Sequence, residues 1–226
     1  MTKLTIQALT PELWPSLEDL FGPNGANSGC WCMWWRVGSG QIRIANTKAN
    51  KAAFRAVVKK GPPPGLLAFD SNLAVGWCQV TPRLALPRLD RSRVLGRVDE
   101  VPVWSVSCFY IRRGYRKMGV MTALIDAAVK FAKANRAPAL EAYPWDERGK
   151  SGSAGVYTGL RKAFARAGFE EVARRTPDRP IMRFAFSSPV YGGGAVRSTT
   201  EGAPPPPPSA GPLPRKRGRK GAVVRQ

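Results

Sequence analysis

The stretch from Cys108 to Thr122 has the composition of a ligand-binding turn between a strand and a helix. An apolar run ends, a short basic turn with Arg116 and Lys117 follows, and Gly119 precedes a segment with helical periodicity. The first N–H groups of a helix lack intrahelical acceptors and lie at the positive end of its dipole, so they bind anions. The pattern therefore predicts a diphosphate-binding site that is built mainly from backbone amides. A turn whose arginines are merely solvated is the other interpretation.

The motif Arg116-x-x-Gly119 after an apolar strand resembles motif A of the GNAT superfamily of acyl-CoA-dependent N-acyltransferases, whose pattern is Arg/Gln-x-x-Gly-x-Gly/Ala. Met121 stands at the last position here. The resemblance extends to the order of elements over residues 1–187 and to Ala167-Gly168-Phe169. It implies acetyl-CoA as co-substrate, no metal, a strand that binds the pantetheine arm and backbone amides that bind the diphosphate. The implied cofactor-binding residues are Phe109, Tyr110, Ile111, Arg116, Lys117, Met118, Gly119, Val120, Met121 and Thr122.

The reaction that the resemblance implies is acetyl transfer from acetyl-CoA to a primary amine of a small molecule or protein, by direct attack. A net-positive enzyme is expected to prefer neutral or anionic acceptors. The alternative is a non-catalytic GNAT-like binding or regulatory protein that associates with nucleic acid through its basic surface and tail. Met121 and Phe164, which depart from the catalytic pattern, support that alternative.

An acceptor amine with a pKa of about 10 arrives protonated at neutral pH, so a base or a water relay must remove a proton. Glu141 lies on the predicted strand after the motif A helix, in the layer that reaches the cleft. Glu100 and Asp99, just before a buried strand, are competing candidates, and Asp146 is a weaker one. Carboxylates at strand ends are also often paired with arginine, so each of these four residues is either the base or a member of an ion pair.

The leaving thiolate is often protonated in this family by a tyrosine four residues before the glycine of the Gly-Phe pair. Phe164 occupies that position and has no proton to donate. Tyr157 lies seven residues earlier, on the same face of a predicted helix, and is either the acid or a core aromatic. Tyr143 and Tyr110 are further candidates, so the assignment of the acid stays open.

The segment from Cys30 to Arg36 contains three tryptophans. It forms either the acceptor-side wall of the cleft, with Arg36 as an anion partner, or a buried hydrophobic plug. A zinc site is not expected, because Cys-x-Cys is an unusual spacing and the chain has no histidine. Cys108 could accept an acyl group, but a buried cysteine that packs as a small hydrophobe is the simpler interpretation.

Hydrophobic periodicity predicts the strands and helices that carry these residues, and their order along the chain is β-α-α-β-β-β-α-β-α-β-β. The expected fold class is α/β, a GNAT fold with a mixed central sheet of splayed strands flanked by helices, plus a disordered tail. Residues 70–72 are predicted to form a hairpin turn and residues 81–100 a polar, basic connection. The predicted strands span residues 3–8, 65–69, 73–80, 103–111, 139–143, 170–174 and 181–186, and the predicted helices span 10–21, 50–60, 119–135 and 153–167.

The 226 residues carry a formal net charge of +21 and include no histidine. The lack of histidine excludes Ser-His-Asp and Cys-His catalysis. Residues 191–226 combine a proline run with seven basic residues and one acidic residue, so we predict a GNAT-like domain over 1–190 and a disordered basic tail over 191–226. The tail would attract nucleic acid weakly and without sequence preference.

The sequence has no apolar run long enough for a membrane span and no secretory signal at its start. Four cysteines are too few for a disulfide scaffold, so a reducing cytoplasm is the expected location. The oligomeric state stays open, a dimer included.

Overall fold

The computed structural model describes residues 4–37, 47–146 and 157–186. All of them belong to one compact unit, Met1–Gly192, and the second unit, Gly193–Gln226, lies outside the described residues. The domain boundary at residue 190 and the disordered tail therefore stay predictions.

The seven strands form one mixed sheet in the order β1-β2-β3-β4-β5-β7-β6. Neighbouring strands are antiparallel except β4 and β5, which are parallel. This arrangement confirms the predicted α/β class, and the predicted hairpin is present, with Asp70 opposite Leu73. The strands are β1 (Leu4–Ala8), β2 (Gly65–Asp70), β3 (Leu73–Pro82), β4 (Trp104–Ile111), β5 (Ala139–Ala142), β6 (Glu170–Arg174) and β7 (Pro180–Ala185).

Helices cover both faces of the sheet. Alternate residues of a strand point to opposite faces, and β2 shows this clearly: Leu66 packs in the cluster of α4 and α5, whereas Leu67 packs in the cluster of α1 and α2. A third, smaller cluster lies around α3 and includes Trp35 and Tyr143. The helices are α1 (Trp14–Phe21), α2 (Thr47–Lys60), α3 (Pro87–Asp90), α4 (Val120–Ala134) and α5 (Arg161–Arg166).

The helix predicted over residues 153–167 is much shorter within the described part of the chain. Gly159 has a φ of +85° and Leu160 is extended, so α5 begins only at Arg161. Residues 153–156 lie outside the described residues. Tyr157 and Phe164 consequently do not share a helical face, and that part of the prediction is wrong.

The connection predicted over residues 81–100 is more ordered than its polar composition suggests. It contains a 3-10 turn, Arg83–Ala85, followed by α3. Its first arginine, Arg83, is 4% exposed, because its guanidinium is surrounded by hydrogen-bond acceptors.

The two parallel strands at the centre of the sheet stay paired over three residues only. Trp104, Ser105 and Val106 face Leu140, Glu141 and Ala142, and the pairing stops there. A register shift in the β3–β4 ladder inserts Ser107 as an extra residue in β4 at the same level. Beyond it, β4 remains paired to β3 on one side, and no described strand pairs with its other edge, which we call the open edge, toward the end of β5.

Candidate active site

The N-terminus of α4 is preceded by Gly119, which has a φ of +83°. No side chain of the described residues caps this end by a hydrogen bond. The first-turn amides, which have no intrahelical acceptor, are therefore left for another partner. A Cβ added to Gly119 would meet no atom within 4 Å, so there is free space beside the Cα of this glycine. These features suit a bound anion.

The basic turn before α4 is exposed, and one of its arginines, Arg112, is paired. Arg112 pairs with Asp19 and also donates to the Ala74 carbonyl at 2.9 Å, which holds the turn against the sheet. Arg116 and Lys117 are exposed, and Lys117 has a φ of +65°. The charge available to an anion at this end of α4 therefore comes from residues after Arg112.

The open edge of β4 lies one short turn away from α4. Phe109, Tyr110 and Ile111 are paired to β3 on one side. At the two ends of the open edge, the Trp35 indole N–H donates to the Ser107 carbonyl at 3.1 Å and the Arg116 Nε–H donates to the Ile111 carbonyl at 3.4 Å. The backbone between these two contacts faces the gap between β4 and β5, where an extended ligand could add hydrogen bonds.

Glu141, the first predicted base, is 1% exposed and fully engaged. Its Oε1 accepts from Arg183 Nη2 at 2.7 Å, and its Oε2 accepts from Arg83 at 3.2 Å and from the Tyr143 hydroxyl at 3.0 Å. Burial opposes the charge of Arg183, but the hydrogen bonds that it donates to Asp99 and Glu141 outweigh burial and raise the pKa of that guanidinium. Burial, followed by the charge of Glu141, raises the pKa of Tyr143, so this tyrosine is a poor proton donor. Glu141 is thus the centre of a buried ion-pair network.

The other candidate carboxylates are paired or lie on the surface. Asp99 binds Arg183 through both oxygens, at 2.6 and 3.0 Å, and this hydrogen bonding lowers its pKa. The Glu100 side chain is 95% exposed and lies 3.7 Å from Arg97. Asp146 accepts from Arg174 at 3.0 Å. Each of these three carboxylates thus lies beside an arginine.

Tyr157 lies close to that edge although it is not on α5. A Cβ at Gly159 would come within 2.8 Å of Phe164 and 3.3 Å of Phe109, so the segment that carries Tyr157 packs over β4. The side chain is half-buried beside the cluster around α3. Burial, and next the Cys108 thiol, raise the pKa of Tyr157, whereas Arg179 opposes the rise. Tyr157 therefore keeps its proton at neutral pH.

Phe164, which stands where the family resemblance implies a proton donor, is a fully buried core residue. Its ring centroid lies 6.0 Å from that of Phe109 and 5.1 Å from that of Phe169. The side chain packs against Phe109 of β4 in the cluster that also contains α4.

The tryptophan-rich segment is largely buried, as the plug interpretation expects, and its role as a wall of the acceptor cleft stays a prediction. Trp31 is 1% exposed and stacks on Trp14 with a centroid distance of 5.8 Å, which is the buried plug. Trp34 is half-buried, and the Arg88 guanidinium lies 3.6 Å from its ring centroid. Trp35 joins the plug to the open edge of β4 through its bond to Ser107.

The cysteines near the open edge are thiols. Cys32 and Cys108 have their sulfurs 3.9 Å apart, and the Trp77 indole N–H donates to the Cys32 sulfur at 3.0 Å. Burial raises the pKa of the Cys32 thiol well above its ordinary range. Within the described ranges there is no group of three or more His, Cys, Asp or Glu side chains that could hold a metal ion. Nor does any described helix have the length and apolar character needed to cross a bilayer.

Sequence reasoning missed Arg83 and Arg179 as parts of this region. Arg83 lies in a segment whose composition is typical of a loop, and its partner Glu141 is 58 residues away along the chain. Arg179 carries no local signal at all.

Comparison with known proteins places the chain among acyl-transferring proteins. Residues 32–158 match the model of the acetyltransferase (GNAT) family. No curated protein matches the sequence significantly. An N-acetyltransferase from Staphylococcus aureus Mu50 has 12% identity and a TM-score of 0.49, over 81% of this chain and 98% of that chain.

Two further solved structures are similar to a comparable degree. The PaiA N-acetyltransferase from Thermoplasma acidophilum, in complex with coenzyme A, has 14% identity and a TM-score of 0.47, over 81% of this chain and 99% of that chain. YncA from Salmonella typhimurium, with acetyl-CoA, has 13% identity and a TM-score of 0.47, over 80% and 93%. Structural likeness at this level carries no argument by itself, whereas the family match covers more than half of the sequence. The chain belongs to the acetyltransferase (GNAT) family.

Proposed function

We propose that the chain is an N-acetyltransferase that moves an acetyl group from acetyl-CoA to a primary amine of a small molecule or protein by direct attack. The observation that carries this proposal is the N-terminus of α4, which is uncapped by described side chains and is preceded by a left-handed glycine with free space beside its Cα. A helix end of this kind fits a diphosphate.

The residues proposed to hold acetyl-CoA lie at the N-terminus of α4 and on the open edge of β4. The amides from Arg116 to Thr122 would bind the diphosphate, and the open edge of β4 from Phe109 to Ile111 would bind the pantetheine arm. When bound, acetyl-CoA supplies a thioester, whose acetyl group passes to the amine as coenzyme A thiol is released. Backbone N–H groups on the open edge would stabilise negative charge on the carbonyl oxygen.

We assign the general acid to Tyr157, because the segment that carries it packs over β4. Glu141 acts in this proposal as a positioning residue, since its oxygens are already occupied by arginines and a tyrosine. Glu100, exposed beside Arg97, receives no role. The free thiols of Cys32 and Cys108 agree with a reducing, cytoplasmic setting.

Calorimetry on Gly119→Ala tests the diphosphate site. The substitution forces a side chain into a φ of +83°, which strains the turn, and adds a methyl group to the open space. We expect the wild type to bind both CoA and acetyl-CoA, and Gly119→Ala to weaken both by about tenfold. Gly114→Ala is the matched control, because this glycine lies in the same turn with no atom within 4 Å and no left-handed φ.

Absence of binding heat with either compound would overturn the proposed function. A second assay measures the release of coenzyme A thiol over a panel of amines and peptides. Thermal protection by acetyl-CoA without turnover of any amine would favour the non-catalytic alternative, in which the fold only binds its ligand.

A further inference from the structure

Arg36 carries a positive charge that the described residues do not compensate. Its Nε and Nη2 are buried, and neither has a hydrogen-bond partner. Burial, opposed only by the Cys32 thiol, lowers the pKa of this guanidinium to about 10. Buried polar groups in folded proteins nearly always have partners, and an unpaired buried cation is expensive. The two unpartnered nitrogens form one edge of the guanidinium, which is the edge that pairs with two oxygens of an oxyanion.

Arg179 has a similar environment on the loop between β6 and β7. Its Nε is buried without a partner, and its guanidinium lies 4.5 Å from the ring centroid of Trp145. Burial lowers its pKa too, against the opposing influence of Tyr157 and Asp178. We call Arg36 and Arg179 the arginine pair.

Two series of contacts bring the arginine pair to the same part of β4. Arg36 directly follows Trp35, whose indole binds the carbonyl of Ser107. On the other side, Trp145, under the Arg179 guanidinium, forms a bridge to Leu160, and the adjacent Gly159 packs against Phe109. Ser107 and Phe109 are two residues apart on the open edge.

Further contacts make the same region basic and aromatic. The Arg88 N–H donates to the Trp35 carbonyl at 3.2 Å, and the Arg88 guanidinium stacks on Trp34 at 3.6 Å. Arg179 and Arg88 both influence the pKa of Tyr157, so the proposed acid lies among these guanidiniums.

We infer that the acceptor is a small amine that also bears an oxyanion, a carboxylate or a phosphate, and that the arginine pair binds this anion. The inference rests on the proposed acetyltransferase function and adds the class of acceptor. Arg36 would bind two oxygens side by side, and Arg179 would approach from the opposite side of the gap. A polycationic acceptor, such as a lysine-rich peptide, would be repelled.

Matched acceptors test the inference on the full chain. Each pair differs only in the anion: an amino acid against its amide, and a phosphorylated amino alcohol against the free amino alcohol. We expect the anionic member of at least one pair to have a kcat/KM at least tenfold higher. The pair that shows the difference distinguishes carboxylate from phosphate.

The variant Arg36→Gln should remove that preference while the shift in Tm caused by acetyl-CoA stays the same. Arg179→Gln should reduce the preference independently, which keeps the test valid if one variant folds poorly. Arg166→Gln is the control, an exposed arginine on α5 away from the gap, and should keep the preference. Equal turnover of anionic and neutral members by the wild type, or a preference that survives both variants, would overturn the inference.

A stability measurement separates a binding role of Arg36 from a structural one. Removal of a buried charge that lacks a partner should stabilise the free protein, so Arg36→Met should raise Tm by a few degrees. An N-acetylated amino acid or inorganic phosphate, added as probe, should raise Tm in the wild type only. A fall in Tm of Arg36→Met, with no probe effect in the wild type, would show that Arg36 serves the fold. Failure of acetyl-CoA to shift Tm in any variant would instead refute the proposed function.

Discussion

Glu141 lies between Arg83, Arg183 and the Tyr143 hydroxyl, and its side chain is only 2% exposed. Replacement by glutamine removes the buried carboxylate that Arg83 and Arg183 share and leaves them only their outer carboxylate partners, Asp90 and Asp99, which is destabilising. We expect Glu141→Gln to lower the free energy of unfolding by about 3 kcal/mol, measured by urea denaturation. The pH dependence of kcat in the remaining folded protein should not change.

The same substitution has the opposite signature if Glu141 is a general base. In that case kcat would collapse, its dependence on pH would change, and stability would fall little. Glu100→Gln serves as the stability control, because its side chain is almost fully exposed and surface pairs contribute little.

Tyr157 is the side chain on which the proposed proton donation depends. Loss of a positioned acid typically slows catalysis by two orders of magnitude or more, unless water substitutes for it. We expect Tyr157→Phe to lower kcat by about 10- to 100-fold with little change in KM. Tyr115→Phe is the comparison, since its hydroxyl binds Asp70 at 3.0 Å outside the gap. An unchanged kcat in Tyr157→Phe would show that this tyrosine only packs and does not donate the proton.

The segment from Gly159 to the start of α5 is held by a left-handed glycine in close contact with two phenylalanines. A methyl group at Gly159 would come within 2.8 Å of Phe164 in a backbone with a φ of +85°. We expect Gly159→Ala to lower the free energy of unfolding by about 2–3 kcal/mol, from strain and overpacking together. Gly22→Ala, with a φ of +67° and no atom within 4 Å, reports the strain alone. Equal losses in the two variants would contradict the close packing of this segment over β4.

The order of the strands and the long helices could be read from the sequence because each has a regular apolar period. Val103 to Ile111 is nearly all apolar and becomes the central strand β4, and the stripe of Leu124, Ile125 and Ala128 becomes the buried face of α4. The start of α5 could not be read, because the conformation of Gly159 depends on its contact with Phe164 in the folded chain.

One part of the candidate site could be predicted from the sequence and another part could not. The α4 end was predictable, since an anion site built of amides needs only a glycine and a helix start. The environment of Glu141 was not, because its arginines come from positions 83 and 183 and meet only in the folded sheet.

The molecule as a whole is strongly basic, and its few carboxylates are largely paired. Hydrogen bonds from Arg183, Lys51 and Arg174 lower the pKa values of Asp99, Glu18 and Glu171 respectively. In the unfolded chain these carboxylates have their ordinary pKa values of about 4. Near and below that pH the unfolded chain binds more protons than the folded one, so the free energy of unfolding falls as pH falls. The contribution is complete above pH of about 5 and is lost as pH drops through the lowered pKa values.

A series of melting curves from neutral pH down to about pH 3 measures this loss. Asp99→Asn should start from a lower Tm at neutral pH and then lose less on acidification than the wild type. Parallel curves for the two proteins would show that the Asp99–Arg183 pair does not contribute.

The incompletely paired guanidiniums beside the gap also act on the proton of the incoming nucleophile. A fixed positive charge disfavours a second one nearby, and the two guanidiniums of the arginine pair carry more charge than a single carboxylate bound between them, so the ammonium of that acceptor is more acidic than it is in water. More of it is then in the neutral, reactive form at physiological pH, and the reaction can proceed without a carboxylate that abstracts the proton. The acidic limb of the pH–kcat profile should accordingly lie below the pKa of the free amine, and should move upward in Arg36→Gln.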